Sequence, residues 1–576
     1  MILGQRLLHD DAPFNYSAIC NRAAQQAQGD FLLFLDSDTM VVLSNWLERL
    51  LAQALRPQVG VVGPRLIYTS ERIESAGLVL GMGGDAGSPF VGISMREDGY
   101  MGRLQVAQEY SAVSGSCLLI RHELFDQVGG LDEQHFGVRY SDVDLCLKVK
   151  AAGYKVIWTP FASLVHFGRQ TIHSYADNSF VKMVARSQEA LVSRHLPALA
   201  NDPAFNPNLS LLHKEVQPET EMDVTWEAAF HPRPRVWAYP VNSGGGGEYR
   251  VRAPLRALEQ AALAQISLLP NSEGRERTRV PSLPEMARAA PDSLFVLHGI
   301  NDLMIRWLDL YRKYTDTFLV FSLDDNLFHL PQKGGQKNRL PSDMRKRVRR
   351  ALKHCHRLIV TTEPLREVYQ DFIEDIWVMP NRLETQRWGS LESKRGQGKK
   401  PRVGWAGAAQ HRGDLELIRP VMEALQDEVE WVFMGMCPTP LRPLVDEYHD
   451  GVPFVDYPQK LASLNLDLAI APLEHNKFNE GKSNLRLLEY GALGWPVICS
   501  DVEPYRNSPA TCLPNKPGAW EKAIRERIHE PDALADEGDR MRAWVRENHM
   551  LEDHLEEWMQ ALFSDEVLRQ LLKPAG

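Results

Sequence analysis

The sequence predicts an α/β protein of several domains, and three observations carry that reading. Short, continuously apolar runs alternate with amphipathic stretches almost throughout its 576 residues, the pattern of buried parallel strands covered by helices on both faces. The chain is too long for a single hydrophobic core. Hydrophobic residues make up 44% and charged residues 24%, ordinary values for a globular chain. In the first part the strand runs are FLLFLD, GVVGPRL, SCLLIR and KVIWTP. Later come RVWAYP, SLFVLH, TFLVFSLDD, RLIVTT, RVGWAG, VEWVFMG, DLAIAPL and PVICSD. Periodicity fails between about 198 and 231, a stretch rich in Pro, Asn, Asp and Glu, and weakens again over the polar segment 389–400. The expected division is a first module over 1–200, a linker over 201–232, and two further domains over 233–388 and 400–576.

Charge and cysteine content exclude several function classes. The formal net charge is −10, and the longest basic block is MRKRVRR at 344–350. That argues against nucleic acid as a partner, because phosphate binding needs a concentrated cationic surface. The block reads as a solvated helix face, with peripheral membrane contact as the lesser alternative. The seven cysteines are dispersed without a CxxC pair, which suits buried thiols in a reducing compartment rather than disulfides or a zinc site. No apolar run approaches the ~18 residues of a membrane span, and the N-terminus lacks a signal-peptide pattern. A cytoplasmic protein is expected, at most resting on the inner face of the plasma membrane.

The first module carries acidic residues at element ends. The run 31–35 ends in Asp36-Ser37-Asp38-Thr39. In open α/β sheets ligands bind beyond the carboxyl ends of strands, and two carboxylates there can hold a hard divalent cation. Taken alone, the pair also reads as turn formers. Over 141–152 the pattern predicts a helix capped by Ser141 and closed by Gly153. Asp142 and Asp144 then fall in its first turn, where the helix dipole favours acids and would keep Asp142 ionised as a proton acceptor. His166 follows the next strand, and a lone histidine is more often structural than a ligand.

The order of these features, together with APFNYSAICNRAAQQAQGDFLLFLDSDT and SAVSGSCLLIRHELFDQVGGLDE, resembles family 2 glycosyltransferases of the GT-A fold. The bacterial branch that builds O-antigen and related surface polysaccharides is the most similar. The resemblance covers about 10–190. It implies that Asp36 and Asp38 bind metal and diphosphate, that His166 is a further metal-side ligand, and that Asp142 is the general base of an inverting transfer using Mn2+ or Mg2+. Ser141 departs from the acidic residue often found before the base. The sequence begins just before PFNYSA, without the βαβ unit that binds the nucleotide base in the family; either the start codon is wrongly placed, or the gene is truncated and the front module lacks its base pocket, and as written it is not expected to be independently active.

A second start follows Arg235. A strand leads into Gly244–Gly247 and a helix expected near Tyr249, where amides at Gly245 and Gly246 could approach a ligand closely; an unliganded flexible loop is the alternative. The clearest local signal is DLAIAPLEHNKFNEGKSNLRLLEYGALGWPVICSD. A polar loop leads into a helix capped by Ser483 or Asn484 and ended by Gly494 and Pro496. Lys482 lies just ahead of that helix, a natural diphosphate position. Glu489 shares a face with Leu485, Leu488 and Ala492, and a buried carboxylate needs partners. Arg486 one turn earlier is the structural candidate; ribose hydroxyls would serve as well.

This stretch is similar to the nucleotide-sugar half of family 4 glycosyltransferases, which have the GT-B fold of two facing Rossmann-like domains. The resemblance implies that Lys482 and Ser483 lie at the diphosphate and Glu489 at the ribose. Gly407 and Arg412 fall on the first strand–loop–helix of that half, and Asn381 at the interdomain crossing. An acidic residue usually stands eight before the helix glutamate; here that place is Gly481, with Glu480 one further away. Retaining transfer without a metal cofactor is implied for this module. Taken together, the expectation is a glycosyltransferase using nucleotide-sugar donors and a lipid-linked or glycan acceptor. The alternative is a front module that survives as a non-catalytic docking or glycan-binding remnant.

Overall fold

The computed structural model describes residues 14–167, 178–220, 224–226, 233–240, 244–269, 280–330, 342–408 and 411–571. Two compact units divide the chain: Met1–Met222 with Pro281–Ala289, and Asp223–Val280 with Ala290–Gly576.

The first unit is built on a seven-stranded sheet of order β1-β8-β3-β9-β2, with β4 paired to β3 and β7 to β9. Its strands are β1 (Phe31–Leu35), β2 (Thr39–Val41), β3 (Val59–Ile67), β4 (Ile73–Ser75), β7 (Gln108–Glu109), β8 (Cys117–Arg121) and β9 (Lys155–His166); a small hairpin, β5 (Val79–Leu80) and β6 (Ala86–Gly87), stands apart. The expected all-parallel sheet is corrected here, since β3 and β9 run parallel while β1–β8, β3–β8 and β2–β9 are antiparallel. A buried apolar run looks the same in either direction, because both faces are covered in each case. The core packs Val61, Leu118, Ile120, Phe125, Val156 and Trp158.

The stretch read as a linker is not one over its described part. Phe205, Leu209, Leu211 and Val216 are buried in the first unit's core. Asp202 accepts from the Leu80 amide at 2.7 Å and from Ser111. Four apolar residues without helical or strand spacing can still fill a core as irregular chain, which periodicity does not detect. Residues 221–223 and 227–232 of the expected linker lie outside the described residues. The domain expected as continuous over 233–388 also lends a segment forward. Helix Leu283–Ala289 packs on helix Asn178–Ala200, with Arg288 Nε donating to the Ala200 carbonyl at 2.6 Å.

The second unit contains two six-stranded, wholly parallel sheets, each Rossmann-like in its strand order. The first, of order β11-β10-β12-β13-β14-β15, comprises β10 (Arg235–Tyr239), β11 (Gln265–Leu268), β12 (Ser293–Leu297), β13 (Phe318–Leu323), β14 (Arg357–Val360) and β15 (Ile376–Val378). The second, of order β18-β17-β16-β19-β20-β21, comprises β16 (Arg402–Ala406), β17 (Glu430–Gly435), β18 (Glu447–Asp450), β19 (Leu468–Ala471), β20 (Val497–Ser500) and β21 (Thr511–Leu513). Strand order reverses at β10 in one and at β16 in the other, and such switch points open a crevice at the strands' carboxyl ends. The chain's end does not stay with the second sheet as expected for 400–576. Helix Leu555–Leu562 returns to the first, where Trp558, Leu562 and Phe563 join Val236 and Phe295 in one core. Arg357 Nη1 donates to the carbonyls of Gln560 and Ala561.

Candidate functional site

At the carboxyl end of β1 the chain turns through Asp36–Thr39, and the Thr39 hydroxyl donates back to the Asp36 carbonyl at 2.6 Å. β2 then pairs with the end of β9 in the register Thr39↔His166. This pairing sets His166 Nε2 at 3.1 Å from Asp38 Oδ1 and 4.0 Å from Asp36 Oδ2. One ligand atom each from Asp36, Asp38 and His166 lies within 4.8 Å of the others. Two carboxylates and an imidazole so placed could hold a divalent cation. The ring's other nitrogen, Nδ1, lies 2.8 and 2.9 Å from the two oxygens of Glu74, a residue the sequence reading missed. Burial pushes the Asp36 carboxyl above the usual range, opposed by Ser116 and His166 and reinforced by Asp38 and Glu74. The Glu74 hydrogen bond, against some burial, holds the His166 imidazole above its ordinary value.

Asp142 stands at the start of helix Ser141–Ala151. The cap position belongs to Tyr140, in a left-handed conformation at φ 64°, rather than to Ser141, which begins the helix. Tyr140 holds that conformation with its hydroxyl donating to Asp85. Asp142 Oδ2 accepts from the Gly115 amide at 2.8 Å and Oδ1 from the Val143 amide at 2.9 Å. The expectation that the helix dipole would keep Asp142 readily ionised needs correction. Burial, aided by the nearby Asp36 charge, outweighs the amide bonds and moves its carboxyl up. A carboxylate made more basic in this way is a better proton acceptor once ionised. Asp144 faces elsewhere, meeting His195 at 3.1 Å and Lys148 at 3.3 Å, so its role is structural.

In the second unit a cavity of about 960 Å³ opens where the two sheets' strands end, and Gly245, Gly246, Gly407, Lys482, Ser483 and Glu489 all line it. The loop's helix begins at Gly245 rather than near Tyr249. A side chain at Gly246 would come within 3.3 Å of Asp324 Oδ2, so glycine keeps the backbone close to that carboxylate. Lys482 Nζ pairs with Asp325 at 2.9 Å. Asn381 donates to Ser483 Oγ at 2.9 Å and accepts from Arg250 at 3.0 Å, linking the two domains of the unit. The helix cap is Asn484.

Glu489 is buried, and its carboxylate accepts hydroxyls from Tyr249 at 2.7 Å and Tyr457 at 3.0 Å. Burial raises its carboxyl above the usual range, with the two tyrosines opposing. Arg486, the expected structural partner, instead lies over the Trp405 ring at 5.3 Å and lines the cavity. Arg412 and Glu480 are exposed and do not line the cavity.

The sequence reading also missed a polar cluster on the cavity's other side. His298 Nε2 lies 2.7 Å from Asp324 Oδ1. Burial works against Asp324 ionising, but His298 and Arg250 outweigh it and hold the carboxyl low. Arg250 is 1% exposed, and its Nε and Nη2 have no hydrogen-bond partner. Burial lowers that guanidinium to about 10. The acidic pair ending TFLVFSLDD was the available signal, by the same logic applied to Asp36 and Asp38. The basic run at 344–350 is partly neutralised, since Arg347 and Arg350 meet Asp302 at 2.9 and 3.0 Å, as a solvated helix face requires. Among the described residues no helix is long and apolar enough to cross a membrane.

Fold and site together describe an α/β protein with a carboxylate–imidazole cluster at the sheet end of its first unit and a cavity between two parallel-sheet, Rossmann-like domains in its second. Residues 5–204 match the family described as "Glycosyltransferase like family 2". The chain is 42% identical to protein y4gI of Sinorhizobium fredii over 207 residues, 36% of this chain and 23% of that protein. It is 37% identical to the O-antigen biosynthesis protein RfbC of Myxococcus xanthus over 204 residues, 35% of this chain and 16% of that protein. The chain thus spans less than a quarter of either relative. Among solved structures, sucrose-phosphate synthase of Thermosynechococcus elongatus aligns with 59% of this chain and 99% of its own, at 15% identity and a TM-score of 0.42.

Proposed function

We propose that the protein is a glycosyltransferase with two sites, transferring sugars from nucleotide-sugar donors to a growing cell-surface glycan of the O-antigen type. The observation that carries this reading is the meeting of Asp36, Asp38 and His166 within a domain of family 2. The relative RfbC, named for O-antigen biosynthesis, supports the acceptor class. A lipid-linked intermediate at the inner membrane face is the acceptor that fits that class.

In the front site Asp36, Asp38 and His166 would hold a divalent cation, which when bound neutralises charge on a diphosphate leaving group. Asp142 accepts the proton of the acceptor hydroxyl as that oxygen bonds to the anomeric carbon. The bond from that carbon to the diphosphate breaks on the opposite face, so the configuration inverts. In the rear site Lys482 and the Gly245–Gly246 amides bind the donor diphosphate, and Glu489 takes the ribose hydroxyls in place of the tyrosines. No metal ligand set is needed there, and the reaction is of the retaining type.

Donor turnover assayed with and without Mn2+ tests both halves. Asp38→Ala should abolish the metal-stimulated part and Glu489→Ala the metal-independent part. Metal-stimulated turnover that persists in Asp38→Ala removes the front assignment and leaves that domain as a docking or glycan-binding element. Metal-independent turnover that persists in Glu489→Ala removes the rear one.

A further inference from the structure

Glu74 belongs to no motif, yet it is the residue that completes the front cluster. It sits on β4, which pairs antiparallel with the end of β3 in the register Leu66↔Ser75 and Ile67↔Ile73, with a shift between the two. β9 pairs with the same end of β3 from the other side, in the register Leu66↔Leu164 and Ile67↔Val165. Glu74 and His166 are thereby brought together across β3, 92 residues apart. Both Glu74 oxygens reach Nδ1, at 2.9 and 2.8 Å, while Nε2 faces Asp38 at 3.1 Å. The Glu74 side chain is only 19% exposed and that of His166 11%.

Two features separate this arrangement from an ordinary structural ion pair. The imidazole is held at one nitrogen and aims the other at a pair of carboxylates, the geometry by which an outer carboxylate fixes the tautomer and orientation of a metal-ligating histidine. Three carboxylates also surround a single imidazole. Among the described residues, no lysine or arginine forms an ion pair with Asp36, Asp38 or Glu74. That excess of negative charge in a half-buried place is stabilised by a cation and costly without one.

We infer that Glu74 is a positioning residue for the cation site: by accepting the Nδ1 proton of His166 it leaves Nε2 as the ligand atom and holds the ring toward Asp36 and Asp38. This rests on the reading of Asp36, Asp38 and His166 as cation ligands. Glu74 acts on cation binding, so binding tests its role without turnover.

Mn2+ binding to the full chain is measured from the free-ion electron paramagnetic resonance signal, with a thermal melt as a folding control. Glu74→Leu should weaken Mn2+ binding by about 10–100-fold. Glu74→Gln, whose carbonyl still accepts the Nδ1 proton, should recover part of that loss and guards against misfolding of the first variant. In a His166→Ala background, Glu74→Gln should cost nothing further, because the two residues act through one ligand. Undiminished Mn2+ affinity in folded Glu74→Leu or, should that variant not fold, in Glu74→Gln overturns the inference, as does an undiminished further loss in the His166→Ala background. A parent chain that takes up no Mn2+ overturns the cation site itself and the role of Glu74 with it.

Discussion

Removing a single hydroxyl should make the rear site bind nucleotide more tightly. Tyr249 donates to Glu489 Oε1 at 2.7 Å from the opposite domain of the unit, and Tyr457 donates to Oε2 at 3.0 Å. If Glu489 receives the ribose, its hydroxyls compete with these two bonds for the same carboxylate. A hydrogen bond to a charged group contributes about 1.5–3 kcal/mol, and Tyr249→Phe removes that competition before the ligand arrives. Phenylalanine keeps the ring's edge contact with Phe454, now at 5.2 Å between centroids, so packing is little altered. Taking the lower figure, about 1.5 kcal/mol, nucleotide affinity should rise roughly tenfold. Calorimetry with UDP, GDP, ADP and dTDP finds which base is accepted and measures the gain. In a Glu489→Gln background the gain should shrink, because the acceptor is no longer charged. Unchanged or weaker affinity in Tyr249→Phe, for a nucleotide the parent binds, would refute the reasoning that ribose replaces this tyrosine at Glu489.

Other substitutions separate the residues the cavity gathers from those it leaves out. Arg412→Ala should leave nucleotide affinity unchanged in the same calorimetry, since Arg412 is exposed and away from the cavity, whereas Arg486→Met, removing a lining cation, should weaken it about tenfold or more. Asp142→Asn should lower front-site kcat by about 10²–10⁴-fold while Mn2+ binding measured by resonance stays within a factor of two or so of the parent. Burial moves the His356 and His549 imidazoles from 6.5 down to about 4, and His411 down to about 3. Between pH 6.5 and 4 the unfolded chain therefore takes up protons that the fold refuses, so stability falls as pH drops through that window. The melting temperature of the second unit should decline across it, by less in His549→Phe; a decline of equal size in that variant counts against a buried neutral His549.

Legibility in the sequence followed the range of the interaction. Asp36 and Asp38 were readable because an acidic pair directly after an apolar strand is a local pattern. Lys482 and Glu489 were readable because loop, cap and helix face lie within one short segment. Glu74 was not, since nothing near Ile73–Ser75 marks it, and its meaning arises only when β4 and β9 flank the same end of β3. Arg250 was missed for a similar reason, lying on a different strand–helix unit from the rear motif, whereas Asp324 was marked by the acidic pair that ends TFLVFSLDD. Arg412 and Arg486 show the converse: both lie beside motif residues along the chain, yet Arg486 lines the cavity and Arg412 is exposed.

The alternation of apolar runs and helices, by itself, determined the α/β class and the positions of the longer, continuously apolar strands, because burial on both sheet faces demands continuous apolar side chains; short strands such as β2, β4 and β7 carry no such run. Only the tertiary structure decided strand direction in the front sheet, the absorption of 201–220 into its core and the return of the last helices to the first rear sheet. It alone decided, too, which protein groups hold His166 and Glu489. These are pairings between segments far apart in the chain, and the apolar pattern that drives burial is indifferent to which distant partner does the burying.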